Sequence, residues 1–426
     1  MVEIIKRKGW LDLNDSSTVK TGRIAGSKFA QKIMSKKYWA KGNVDIIFLL
    51  VVLLLVAVGT VMMASAGYSI ALHKKENSYD YVISQIIAIA VGIVAMLVIS
   101  RINYNYYRRF VLLGVGLSFI LLCAALVYAK IKEGQNPEGG EEFGRWIPLP
   151  IPGMRQFQPS EIAKIGLVAF YAWGCEKYHS QIMSKDKKVA VKTAIIFGSI
   201  GVLFTLLVFL EHHLSGAILF AMLTIAMLYL GGFNKWWFVA FISIIAVFVI
   251  IFVSNPGFLG IIDEYQQERI IAWKDKDFDP TGARWQINNS LYAIGSGGLF
   301  GQGLGDSKMK HLYVSEAQSD FIFAIVCEEL GFIGAAFILM LFCYLIYRGY
   351  KIAMRCNSKF GTLLVLGIMA HIGLQTVFNV FVVTDFFPNT GIGLPFFSAG
   401  GTSMLFLLCE MGMVLSVSRS SNMIKE

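Results

Sequence analysis

Charge is scarce in this chain. Lys, Arg, Asp and Glu make up 15% of its 426 residues, against about a quarter in a soluble domain. Proline is scarce too, at nine residues. Apolar residues take their place: 56% of the sequence is hydrophobic, Phe occurs 32 times and the mean hydropathy is +0.61. That excludes a soluble globular domain. It suits long helices in lipid, where each backbone polar group must be bonded within its own helix.

Cysteine is nearly absent as a structural device. The six residues Cys123, Cys175, Cys327, Cys343, Cys356 and Cys409 fall in or beside apolar runs without CxxC spacing. A disulfide framework and a zinc site are both disfavoured, leaving small buried apolar residues. Internal repeats are missing, which argues against an inverted-repeat transporter. A nucleotide loop is missing as well. Gly295, Gly297, Gly298, Gly301, Gly303 and Gly305 fit neither GxGxxG nor a P-loop, and no strand precedes them. They serve better for sharp turns or close backbone approach, as to a lipid headgroup. His212 and His213 are adjacent and would point apart on a helix, a poor metal pair. No Ser/His/Asp nucleophile arrangement is readable. No cleavable signal peptide is expected, since the first apolar run begins near Ile46 behind a basic tail.

The net charge of +10 is explained by where it lies. Residues 1–44 carry ten Lys/Arg against three acids, and the remaining excess sits in short loops between apolar runs. This is the positive-inside pattern of a membrane protein rather than a nucleic-acid footprint.

Apolar runs long enough to span a bilayer lie near 46–65, 82–100, 109–129, 160–176, 193–211, 213–232, 236–254, 319–347, 361–384 and 399–417. The expected fold is all-α and integral to the membrane, with about ten transmembrane helices. Basic segments at 1–44, 101–109, 177–192 and 348–359, with Lys235, alternate to one side, assigned to the cytoplasm. Both termini then lie inside. The expected organisation is a basic cytoplasmic tail over 1–44, a polytopic membrane domain over 45–418 and a cytoplasmic C-terminus over 419–426. Three long loops face the other side, at 130–159, 255–318 and 385–398. The largest joins helices 7 and 8 and holds six Lys/Arg and eight Asp/Glu. Loops of this length usually carry function. Within it, Ile262, Tyr265, Ile270 and Trp273 approach helical spacing and fit a short helix in the headgroup plane. Ile287, Leu291 and Ile294 share one helical face, Gln286 and Ser290 another, and Gly295 ends the pattern.

Five polar clusters are candidates for chemistry. Arg145-Trp146 precedes Gln158-Pro159-Ser160-Glu161, a helix start with an acid at its positive end. Glu161 and Lys164 are three apart and can pair. The cluster reads either as a cap with an ion pair or as a ledge for an anionic headgroup. Asp275, Asp277 and Asp279, ahead of Pro280, Gly282, Arg284 and Gln286, read either as a solvated turn or as a general base near a membrane surface. Glu316 and Asp320 are four apart at an expected helix N-terminus. Glu328 and Glu329 sit in an apolar stretch, so at least one must face the interior with a partner. Pro395, Ser398, Gly400, Gly401, Thr402 and Ser403 open the last span and predict a broken or re-entrant helix.

Taken together, these segments resemble the SEDS family (shape, elongation, division and sporulation), whose members include FtsW, RodA and SpoVE. The resemblance runs from about Asp45 to Arg419. It rests on Gly144-Arg145-Trp146, Gln158-Pro159-Ser160-Glu161-Ile162-Ala163-Lys164, the glycine run from Ala293 to Gly305, Ser315-Glu316-Ala317 with Asp320-Phe321-Ile322-Phe323-Ala324, and Leu394-Pro395-Phe396-Phe397-Ser398 with Gly400-Gly401-Thr402-Ser403. Ser315-Glu316-Ala317 and Val383-Thr384 are closer to FtsW and SpoVE than to RodA. Two departures stand out: Glu211-His212-His213 replaces the usual Gln-Pro-Asp or Gln-Pro-His, and Ala399 replaces the usual aromatic.

The resemblance implies a peptidoglycan glycosyltransferase of the bacterial cytoplasmic membrane that polymerises lipid II into β-1,4-linked strands. It places the catalytic base at Asp279. Residues expected to meet substrate are Arg145, Trp146, Gln158, Ser160, Glu161, Lys164, Arg284, Gln286, Ser290, Glu316, Asp320, Ser398, Thr402 and Ser403, with Arg145 and Lys164 holding diphosphate. The implied partners are a class B penicillin-binding protein (a transpeptidase) and membrane proteins of the divisome or elongasome. A divalent cation, Mg2+ or Mn2+, can assist, with ligands unassigned. Competing readings are a lipid-linked precursor flippase and a scaffold that recruits division proteins.

Overall fold

The computed structural model describes residues 39–40, 42–73, 80–135, 146–151, 154–234, 264–282, 284–389 and 391–422, together with Trp236, Phe238 and Ser243. The basic tail over 1–38, Arg145 and nearly all of the expected span 236–254 lie outside the described residues.

The architecture is a helical bundle. Its elements are α1 (Ile46–His73), α2 (Asp80–Arg101), α3 (Tyr107–Gln135), a small hairpin of β1 (Ile147–Ile151) and β2 (Met154–Phe157), α4 (Pro159–Lys177), α5 (Lys187–Leu210), α6 (Leu214–Leu230), α7 (Glu264–Lys274), α8 (Trp285–Gly297), α9 (Ile322–Met354), α10 (Lys359–Val383) and α11 (Gly401–Asn422). Among the described residues, seven helices are long and apolar enough to cross a membrane: α1, α2, α3, α5, α9, α10 and α11. Two further expected spans are occupied by α4, which carries Glu161, Lys164, Glu176 and Lys177, and by the shorter α6.

The core is aliphatic and aromatic and runs through α1, α4, α9, α10 and α11. α4 and α10 are enclosed on most sides, whereas α2 and α3 leave Val94, Phe110, Leu113 and Ile120 exposed. Exposed apolar side chains on a helix in lipid are solvated by acyl chains. One end of the bundle is tied by Arg348 to Asp45 at 2.8 Å and by the Asp45 amide donating to Ser418 Oγ. The opposite end carries the irregular backbone.

That backbone is built around a break in α9. Gly331 has φ 67°, outside the helical region, in an otherwise continuous apolar helix. The freed backbone groups are bonded by the glycine run. Gln302 N donates to Glu328 O and Gly303 N to Glu329 O, while Phe332 N donates to Gly298 O and Ile333 N to Leu299 O. The close approach these glycines allow is therefore to α9. A Cβ on Gly331 would sit 2.2 Å from Gly301 N, and one on Gly301 2.2 Å from Glu329 O. Both carry positive φ. Gly331→Ala or Gly301→Ala is expected to cost more than about 2 kcal/mol, seen as a lowered Tm in detergent. Gly295→Ala, whose Cβ would meet nothing within 4 Å, leaves Tm at or above wild type.

Glu328 and Glu329 both face inward at the break. Glu328 accepts from Ser307 Oγ and from the Lys308 and Met309 amides. Glu329 pairs with Lys310 at 3.0 Å and accepts from Ser65 Oγ. A cavity of about 360 Å³ beside Lys310 is walled by Val61, Ala64, Tyr68 and Leu304.

Candidate functional site

The acidic turn between α7 and α8 is a constructed loop. The Asp275 carboxylate accepts from Asp277 N, which closes the first bend. Asp279 then takes φ 39°, a conformation L-residues avoid. Its Oδ1 accepts from Gly282 N at 3.1 Å and its carbonyl from Arg284 N at 3.3 Å. Gly282 is required here, since a Cβ would fall 1.9 Å from Asp279 Oδ2. The carboxylate is thus folded over the turn while staying exposed to solvent.

Beneath the turn lies Arg284, 3% exposed. It donates to Ala272 O at 2.7 Å and forms an ion pair with Asp385, just past α10. The segment after α10 is bonded throughout to α7 and α8. Trp273 Nε1 donates to Asp385 O, Arg269 to Asn389 O, and Asn389 to Gln286 Oε1. The α7 side chain Ile270 is buried in protein and Trp273 is half-buried. Ile262, counted in the same pattern, lies outside the described residues.

Several polar residues expected to meet substrate are used to bond backbone. Ser290, fully buried, donates to Val383 O, and Gln286 donates to Ser315 O. Ser398 donates to Ser319 O and Thr402 to Gln156 O. Arg284 belongs with these, held in its ion pair rather than presented to a ligand. Ser403 is half-buried near the start of α11. Asp320 sits beside the N-terminus of α9, directly before its N-cap Phe321, whereas Glu316 does not. α9 begins only at Ile322, and Glu316 has φ 56° in the turns before it, its carboxylate accepting from Gln318 and Ser319. Asn379 donates to both Asp320 O and Ile392 O and so ties the turns before α9 to the segment after α10.

The second cluster lies at the start of α4. Pro159 occupies the first turn, where a missing N–H costs nothing. Trp146, half-buried, precedes β1. Glu161 and Lys164 are both buried and form the anticipated ion pair at 2.9 Å. Lys164 Nζ also donates to Gln375 Oε1 at 3.4 Å. An ammonium has three donors, and these two contacts use two of them. Gln158, buried beside Ser160, is 3.4 Å from His213 Nδ1.

Between α5 and α6 is a carboxylate of a different kind. The helix ends at Leu210, leaving Glu211 in the turn. It is 1% exposed, and neither oxygen has a hydrogen-bond partner. Burial pushes its pKa from 4.5 up to about 8. The folded state then keeps a proton that the unfolded chain gives up above pH 4.5. Stability is full below that window and is lost as pH rises through it towards 8. Glu211→Gln is expected to flatten the fall in Tm over that range, measured by melting at a series of pH values.

Sequence reading missed Gln375, His371, Glu410, Asp385 and Asn389. His371 and Glu410 had a usable signal, each being an ionisable residue isolated in an apolar span. Among the described residues, no group of three His, Cys, Asp or Glu is placed to hold a metal ion.

The chain is similar to known proteins over nearly its whole length. Stage V sporulation protein E of Bacillus subtilis is 33% identical over 385 residues, covering 89% of this chain and 98% of that one. A probable peptidoglycan glycosyltransferase FtsW of Trichlorobacter lovleyi is 35% identical over 385 residues, covering 90% and 95%. In fold it matches a chain of a peptidoglycan synthase complex with TM-score 0.67 at 22% identity, covering 89% and 98%. It matches Thermus thermophilus RodA with TM-score 0.60 at 22% identity, covering 88% and 97%. The family model of the FtsW, RodA and SpoVE cell cycle proteins matches residues 45–423, and the chain belongs to that family.

Proposed function

We propose that this chain is a peptidoglycan glycosyltransferase that polymerises lipid II at the outer face of the bacterial cytoplasmic membrane, for wall synthesis in division, sporulation or elongation. The observation that carries the assignment of the base is Asp279: an exposed carboxylate on strained backbone, held over a buried ion pair in the large polar loop. Backbone strain of this kind marks functional sites.

In this reading Asp279 takes the proton of the acceptor sugar hydroxyl as that oxygen attacks the anomeric carbon of the lipid-linked donor. The bond to diphosphate breaks in the same displacement, so an α-linked donor gives a β-linked product. The remaining Lys164 donor and Arg145 hold the diphosphate of the bound donor, Arg through its planar fork. A divalent cation stays an expectation of the resemblance. The described residues offer no three-ligand cluster for one, and no step is assigned to it.

The positive segments favour a topology with both termini in the cytoplasm and the acidic turn outside. Residues 255–318 are then the extracytoplasmic catalytic loop of a membrane domain over 45–418. The transpeptidase partner would be a class B penicillin-binding protein. Purified protein given labelled lipid II, with and without that partner, is expected to yield glycan strands. Translocation of lipid II across vesicles without polymer would favour a flippase instead. Cysteine labelling that put Pro280 inside the cell would remove the base from its substrate.

A further inference from the structure

α10 and α11 carry two ionisable side chains that the reaction above does not use. His371 lies halfway along α10 and Glu410 midway along α11, 1% and 2% exposed. They meet at 3.0 Å, His371 Nδ1 to Glu410 Oε2. The other ring nitrogen, Nε2, lies 3.0 Å from Gln375 Oε1.

The orientation of the Gln375 amide follows from a third contact. Its Nε2 donates to the carbonyl of Gly393 at 2.9 Å, and a carbonyl only accepts. Gln375 Oε1 is therefore the acceptor, both from His371 and from Lys164 Nζ at 3.4 Å. Lys164 in turn pairs with Glu161 at 2.9 Å. One unbroken chain, Glu161–Lys164–Gln375–His371–Glu410, joins α4, α10 and α11. It also fastens Gly393 in the irregular segment ahead of α11.

The proton count follows. His371 Nε2 must carry hydrogen to reach Gln375. One more proton is shared between Nδ1 and Glu410, so the pair is neutral overall wherever that proton rests. A neutral pair explains how two ionisable groups sit at membrane depth. It does not explain why they are there. Apolar residues of similar volume usually serve stability as well as a buried ion pair or better.

We propose that His371 and Glu410 are positioning residues for substrate binding. They pin Gln375 so that its oxygen takes one hydrogen of Lys164 and leaves another aimed at the diphosphate of the lipid-linked substrate. This rests on the reading of Lys164 as a diphosphate contact. With the pin removed, Gln375 turns, Lys164 settles onto Glu161, and the ledge loses its aimed donor. The base at Asp279 is untouched, and the diphosphate is charged before its bond breaks as well as after, so the loss falls on binding rather than on the chemical step.

The test uses the full-length protein and labelled lipid II. His371→Leu/Glu410→Leu replaces the pair by apolar groups and is expected to keep Tm close to wild type. KM for lipid II rises about ten-fold, one hydrogen bond to a charged group, while kcat stays within about two-fold. Glu410→Gln preserves a neutral chain, because its amide can donate to Nδ1, and keeps KM near wild type. A folded double variant with wild-type KM overturns the inference, as does a Glu410→Gln protein shifted as far as the double variant. Should the double variant not fold, Gln375→Met is expected to raise KM alike, and a wild-type KM there overturns it. A wild-type protein that makes no glycan fails at the functional reading itself; polymerisation with an unmoved double variant defeats this inference alone.

Discussion

Asp279→Asn lowers kcat for glycan synthesis by about 10²–10⁴-fold, the usual worth of a positioned general base, while lipid II binding and Tm stay at wild-type values. The substitution keeps the side chain's shape. It also keeps an oxygen to accept from Gly282 N, so the turn holds. Only the proton acceptor is lost. Asp275→Asn separates the residues further. That carboxylate also accepts a turn amide, so its variant tests whether any acid in the turn suffices. Activity within several-fold of wild type is expected for Asp275→Asn and Asp277→Asn, measured with the same labelled substrate. Full activity in Asp279→Asn would move the base to one of those neighbours.

The spans were legible because twenty apolar residues in a row have few other homes. Local pairs were legible too. Glu161 and Lys164 are one helical turn apart, and the cost of burying a carboxylate demanded an inward-facing partner for at least one of Glu328 and Glu329; both have one. What the sequence concealed was long-range pairing of backbone. No proline marks the break in α9. The groups that fill it come from the backbone of residues 298–303, about thirty residues earlier, whose N–H and C=O carry no side-chain signature. The same blindness affected Ser290, Ser398 and Thr402. A hydroxyl in an apolar run reads equally as a ligand contact or as a donor to a distant carbonyl, and these three donate to Val383, Ser319 and Gln156. His371 and Glu410 announced a cost without a partner, because 39 residues separate them.

Arg284→Met is expected to have the largest effect on stability. Arg284 and Asp385 are 3% and 6% exposed at their side chains and close a link between α8 and the end of α10. Asp385 Oδ1 has no hydrogen-bond partner, so removing the guanidinium leaves a buried carboxylate without its counter-charge. Such a loss costs about 3–5 kcal/mol, a fall in Tm on the order of 10 °C. Arg284→Met/Asp385→Leu removes both charges and recovers most of that stability. Activity should not follow. Arg284 also holds Ala272 O at 2.7 Å, at the end of the helix that feeds the acidic turn. The double variant therefore folds near wild-type Tm with a misplaced Asp279 and a kcat well below wild type. Equal recovery of both quantities would mean that the ion pair only fastens the loop, and that the turn over it aims itself.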